Sequence, residues 1–280
     1  MANIKQYFKM LGWFAHMDGA WFLRDTRMML LAVVSDWIAN LSSVFGIFLL
    51  AWQFDGIGNL TRYEVLFMLG FITLTSGIYE MSYMNSNAGH ISRRIGRGQL
   101  DHMLIQPVPL WMQLLTEGFI PVSGNSSLIS GTVILSVAVY QIGLNVTPVW
   151  VLHLVVQLFS SVFLWLGLSY AFGSAAFYAP VAAEEISSDV FIMRWQLGRY
   201  PLSGMPKPVQ WLLCSFLPGG LIGWFPASAL VGKTPLGLPE LFPLYITAVV
   251  WIVALLLFRK GWLYYVQAGI NRYSAFGHRR

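Results

Sequence analysis

Of the 280 residues, 56% are hydrophobic and only 10% are charged, and the mean hydropathy is +0.62. A soluble domain carries about a quarter charged residues, so that class is excluded and a polytopic membrane protein is indicated. The net charge of +5 does not point to nucleic acid; it reads as a topology signal with attraction to anionic headgroups.

Near the start, Ile4, Tyr7, Phe8, Leu11, Phe14 and Ala15 recur at helical spacing, with Lys5 and Lys9 among the polar positions. This predicts an amphipathic helix over 1–27 lying on the membrane surface, with Trp13 and Trp21 suited to the headgroup layer. The segment lacks a short apolar core with a small-residue cleavage site, so no cleavable signal peptide is expected.

Six apolar runs follow, each near the ~20 residues that cross about 30 Å of hydrocarbon as helix. They are 28–52, 63–83, 115–141, 149–178, 209–231 and 242–258. The fourth is long enough to tilt or project from the membrane. The fifth holds Pro218, Gly219, Gly220, Gly223 and Pro226, which predicts a kink, or a break into a span plus a short re-entrant helix. The expected fold class is all-α: a polytopic membrane protein with six transmembrane helices.

Orientation follows from lysine and arginine. All 17 except Arg62 and Lys233 fall in four segments. These are the N-terminal tail (Lys5, Lys9, Arg24, Arg27), the 84–114 loop (Arg93, Arg94, Arg97), the 179–208 connection (Arg194, Arg199, Lys207) and the tail 259–280 (Arg259, Lys260, Arg272, Arg279, Arg280). The positive-inside rule then places both termini and both long connections in the cytoplasm. Within 179–208, residues 184–199 mix Glu184, Glu185, Asp189, Arg194 and Arg199 with Ile186, Val190, Ile192, Met193 and Leu197. That pattern predicts a cytoplasmic or interfacial helix, ended by Tyr200 and Pro201. The outer connections are short, so no external domain is expected.

Catalytic motifs are missing. Gly232, Lys233 and Thr234 imitate the end of a phosphate-binding loop, but its first glycine would fall at Ala227; the segment is a turn. His16, His90, His102, His153 and His278 form no pair at metal-ligand spacing. Cys214 stands alone, without a disulfide partner or an obvious base. No catalytic, cofactor or metal site is expected in this chain, and it is not expected to be an enzyme. Acidic groups near the membrane carry more weight, because charge there is expensive. Asp36 lies inside the first span and is a candidate for the pathway or a subunit interface. Glu80 and Glu117 sit near span ends, where they serve proton or cation coupling or simply pair with Arg93, Arg94 or Arg97.

The 84–114 loop is the one long segment outside the apolar runs that looks built to be gripped. Gly96 and Gly98 let it turn, Pro107 and Pro109 end a short helix, and Leu100, Met103, Leu104 and Ile105 offer an apolar face flanked by Arg94, Arg97 and Asp101. With this loop, the amphipathic start, Arg199-Tyr200-Pro201, Phe225-Pro226-Ala227 and the stretch from Gly261 to Tyr265 through Gly269 and Tyr273, the chain resembles the permease subunits of type-2 ATP-binding-cassette (ABC-2) transporters. The likeness covers nearly the whole chain and is to the bacterial branch of small six-span permeases. The resemblance implies that the loop is the coupling helix, seated in a cleft of a separate ATPase subunit, with Arg94, Arg97, Leu100, Asp101, Met103, Leu104 and Ile105 as coupling residues. It further implies that ATP and Mg are bound by that partner, and that a second permease subunit, identical or similar, completes the pathway. The expected location is the bacterial cytoplasmic (inner) membrane, and the expected role is ATP-driven export. One departure stands out: 179–185 is acidic where a basic stretch would be unsurprising. The alternative, motivated by Asp36, is an ion-coupled secondary transporter or channel.

Overall fold

A computed structural model describes residues 4–86, 88–216 and 218–268, with the side chains of Asn85, Val181, Val190, Phe191, Met193, Arg194, Trp195, Leu197 and Ala268 left out of that description. Arg272, Tyr273, His278, Arg279 and Arg280 of the tail and Gly269 lie outside it. The described residues form helices and turns, with a lone bridge between Ile57 and Leu60 and no strand. In chain order the helices are α1 (Ile4–Arg24), α2 (Thr26–Gln53), α3 (Arg62–Tyr83), α4 (Ala88–Gly96), α5 (Gln99–Leu104), α6 (Leu110–Thr116), α7 (Ser126–Ile142), α8 (Pro148–Gly173), α9 (Pro180–Gly198), α10 (Lys207–Ser215), α11 (Trp224–Leu230) and α12 (Phe242–Ala268). By length and composition four of these runs can cross a membrane: Thr26–Gln53, Arg62–Gly96, Pro148–Phe177 and Phe242–Gln267. The bent pair Lys207–Ser215 and Pro218–Leu230 adds a fifth if it counts as one, and α7 is a shorter apolar helix of 17 residues.

The tightest packing is between α3 and α7. Gly70, Gly77 and Gly131 lie along this seam, and a Cβ at Gly70 would stand 2.6 Å from the Leu135 backbone nitrogen. Only hydrogen fits there, so small residues bring the two backbones together and gain dispersion along the whole contact. Around this pair, α8 and α12 complete the core. Tyr79 stacks on Trp165 with centroids 4.6 Å apart, and its hydroxyl lies 3.2 Å from Ser169 Oγ.

The bundle has two distinguishable ends. A proximal end carries α1, α4, α5 and α6 together with the close of α12. A distal end carries the α2–α3 and α7–α8 turns. Two elements differ from expectation and one agrees with it. The helix expected from 115 begins at Ser126, because Gly118, Pro121 and Gly124 hold 117–125 as a turn-rich entrance instead. The 209–231 run is broken, as its prolines and glycines predict, with its two halves bent by 76° around Pro218 to Leu221. Finally, 179–208 does not stay at the proximal end. Ser203 packs on the backbone of Gly58 in the distal α2–α3 turn, where a side chain on Gly58 (φ +66°) would collide with it. The other limb of the bent pair returns to the same end: the Trp150 indole donates to Leu230 O at 3.0 Å, and Lys233 Nζ reaches Asn59 O and Glu64 Oε2 at 2.7 and 2.6 Å. Residues 207–230 thus leave and rejoin one end of the bundle, with a tip at Gly219–Gly223 that nests against Ile72, midway along α3.

At the proximal end α1 is latched by a residue the amphipathic pattern passes over. Asp18 shares the helical face of Leu11, Phe14 and Ala15, and it is buried. Its carboxylate accepts from the backbone N–H groups of Val122 and Ser123 at 2.7 and 3.1 Å, and from the Ser123 hydroxyl. Hydrogen bonds to a charged acceptor contribute about 1.5–3 kcal/mol each. Asp18→Asn is therefore expected to free α1 while sparing the bundle, read as faster amide exchange confined to α1 and the 117–125 turns. Unchanged α1 protection would show that packing alone holds the helix.

Candidate coupling turn and buried polar cluster

The 84–114 segment is not a floppy loop. α4 carries on from α3, and Gly98, in the left-handed region at φ 68°, turns the chain into the six residues of α5. Of the expected apolar face, Leu100 and Met103 are buried against the bundle, whereas Leu104 is 46% and Ile105 82% exposed. The face divides by helical phase: one half anchors α5, and the other is presented to solvent. The turn after α5 is stapled from below by Gln113, which is buried and donates to Met103 O at 2.8 Å and Val108 O at 2.7 Å. On the far side Asp101 accepts from the Tyr265 hydroxyl at 2.6 Å, tying α5 to α12. A pair of exposed apolar side chains on so firmly held a base is a preformed knob.

The three arginines separate in the same way. Arg94 is buried and pairs with Glu117 at 3.1 Å, across the α6 C-terminus. Arg93 pairs with Glu184 of α9 at 3.1 Å, and Ser92 Oγ lies 3.1 Å from Ser187 Oγ beside it. Arg97 is exposed. Glu184 belongs to the acidic 179–185 stretch, so that departure has a local cause: it neutralises an arginine of α4.

The intramembrane acids behave differently. Glu80 of α3 lies near Ser127, within electrostatic range of Arg199 and of Asp36 on α2. Arg199 is buried, reaching Asn40 Oδ1 at 3.3 Å and Ser43 Oγ, while Asn40 Nδ2 donates to Ser127 Oγ at 2.9 Å. Asp36 itself is exposed on α2. Arg199, Asn40, Ser43, Glu80 and Ser127 thus form a polar cluster joining α2, α3, α7 and the end of α9. Glu117 stands apart from it. Asn40, Asp18 and Gln113 were not singled out from the sequence, and Tyr265 entered only as the end of the Gly261–Tyr265 stretch. Asn40 and Asp18 did carry a signal, each being a polar residue on an apolar helix face. Gln113 carried none, and nothing in the sequence pointed to the bond Tyr265 makes, because their partners lie on other elements.

No group of three or more His, Cys, Asp or Glu that could hold a metal ion occurs among the described residues. A scan of family models matches residues 37–269 to the family described as ABC-2 family transporter protein. Neither the curated proteins nor the solved structures contain a match to this chain. The matched span takes in α3, the α5 knob, the polar cluster and α12, and the chain belongs to the ABC-2 family of transporter membrane proteins.

Proposed function

We propose that this chain is the permease subunit of an ATP-driven exporter in the bacterial inner membrane, and that it couples to a separate ATPase subunit through the turn at Leu104 and Ile105. The observation that carries the reading is an exposed apolar knob fixed to α6 by Gln113 and to α12 by Tyr265, in a family of transport membrane proteins. ATP and Mg belong to the partner. A second permease subunit faces this one, and closure of two motors rocks the pair between inward- and outward-facing states.

In this reading the proximal end is cytoplasmic and both termini lie there. The spans are α2, α3, α7, α8, the segment from α9 to Leu202–Gly204, and α12. α10 and α11 form a re-entrant hairpin entered from outside, which is supported by the residues flanking it, Ser203 and Lys233, both contacting the distal α2–α3 turn. That revises the span at 209–231 and keeps the number at six. The charged start of α9 then lies beyond the membrane beside α4, where Glu184 meets Arg93.

Affinity capture of the full chain from native membranes tests the reading. The expected result is co-purification of an ATP-binding-cassette ATPase whose hydrolysis rate depends on the chain. If the lone chain instead dissipates a proton gradient in liposomes without any ATPase, it is an ion-coupled carrier or channel and the reading fails.

A further inference from the structure

A groove of about 580 Å³ runs between α6, the proximal part of α8 and α12. Leu114, Tyr170, Trp251, Phe258 and Trp262 line it, and Arg259 stands where the apolar run of α12 ends. The buried Tyr170 closes its floor, with its ring 6.0 Å from that of Trp251 and 5.9 Å from that of Phe258. This volume falls among sites that enclose small organic ligands, roughly 300–1,000 Å³. Along α12 the lining extends from Trp251 to Trp262, a rise of about 16 Å at 1.5 Å per residue. One leaflet of a ~30 Å hydrocarbon core is about as deep.

We propose that the groove binds an acyl chain of an anionic phospholipid from the leaflet at the proximal end, with the headgroup phosphate paired to Arg259. Three features select that occupant. The walls are aliphatic and aromatic, which suits a hydrocarbon chain and not a polar solute. The cation sits at the end where α12 leaves its apolar run for Arg259 and Lys260, the depth at which a phosphate lies. Trp262, beyond Arg259, places an indole at the same level, where amphipathic rings anchor. A second consequence is positional. The α6 wall is the element whose Gln113 staples the α5–α6 turn, so the bound lipid braces the base of the Leu104–Ile105 knob. The lipid site itself holds whether or not the knob engages a motor.

Native mass spectrometry of the full chain in detergent, titrated separately with dioleoyl phosphatidylglycerol and dioleoyl phosphatidylcholine, tests this. The expected result is a single retained phosphatidylglycerol, preferred over phosphatidylcholine about five-fold, the factor one cation near the surface supplies. Arg259→Gln should abolish the preference. Leu255→Trp, at an exposed position on the groove, should displace both lipids; circular dichroism and elution volume check that both variants stay folded. Equal retention of the two lipids by the unaltered chain overturns the proposal, as does retention that neither substitution changes. Loss of a dimer mass instead of lipid would assign the groove to a second copy of the chain, and that too overturns it.

Discussion

In the proposed coupling role, serine at both Leu104 and Ile105 is expected to leave the chain folded and to weaken its binding to the ATPase subunit by roughly two to four orders of magnitude. The magnitude comes from burial: fully covering one such side chain contributes about 1.5–3 kcal/mol, and two are presented together. The sparing of the fold comes from their exposure, since the bundle gains little from side chains already in solvent. Leu100→Ala supplies the contrast. That residue is 1% exposed and its truncation leaves a cavity, so the fold loses about 2–5 kcal/mol. Titration of the ATPase against detergent-solubilised permease, with thermal unfolding of each variant alongside, separates the two outcomes. Native affinity in the double serine variant would remove this turn from the interface.

Arg199→Met should cost the fold about 3–6 kcal/mol, the loss of two hydrogen bonds from a buried charged donor at about 1.5–3 kcal/mol each. The guanidinium serves Asn40 and Ser43 on α2 at once while opposing Glu80 on α3. Its removal leaves amide and hydroxyl groups unmatched and a carboxylate without its cation. Arg199→Lys is expected to recover little, because one ammonium cannot reproduce a fork spanning two acceptors. Adding Glu80→Gln to Arg199→Met should restore part of the loss, since the neutral pair no longer strands a charge. Unfolding midpoints in detergent for the two single variants and the double variant give the coupling directly. Strict additivity would mean that Glu80 and Arg199 act independently.

The membrane class and the long helices were legible because they depend on one local property, the length of an apolar run. α2, α3, α8 and α12 fall close to the runs predicted for them. What depends on pairing between distant residues was not legible. Arg199 counts as a topology charge in the sequence, yet it is buried against residues 156 and 159 positions away. α9 reads as a surface helix because of Glu184, whose charge is met by Arg93, 91 residues earlier. The break within 209–231 was legible, because Pro218 to Gly223 carried it; the return of both halves to one end of the bundle was not. The knob was half legible. Its composition and punctuation stood out, but which two of four apolar residues face outward is set by the phase of α5 on the bundle, and that phase is fixed by Gln113 and Tyr265.

The seam between α3 and α7 has a mechanical meaning. Arg62–Tyr83 is a helix of 22 residues, about 33 Å at 1.5 Å per residue, and its glycines bring its backbone hard against a second helix. Two helices in backbone contact over that length are expected to move as a unit. Beyond the proximal end of α3, the helix α4 leads into the α5 turn, and the distal end of α3 carries Glu64, which grips Lys233 just past the hairpin. In the proposed transport cycle, tilting α3 and α7 together would move the two ends of the pair in opposite directions, linking the α5 turn to the Lys233 end.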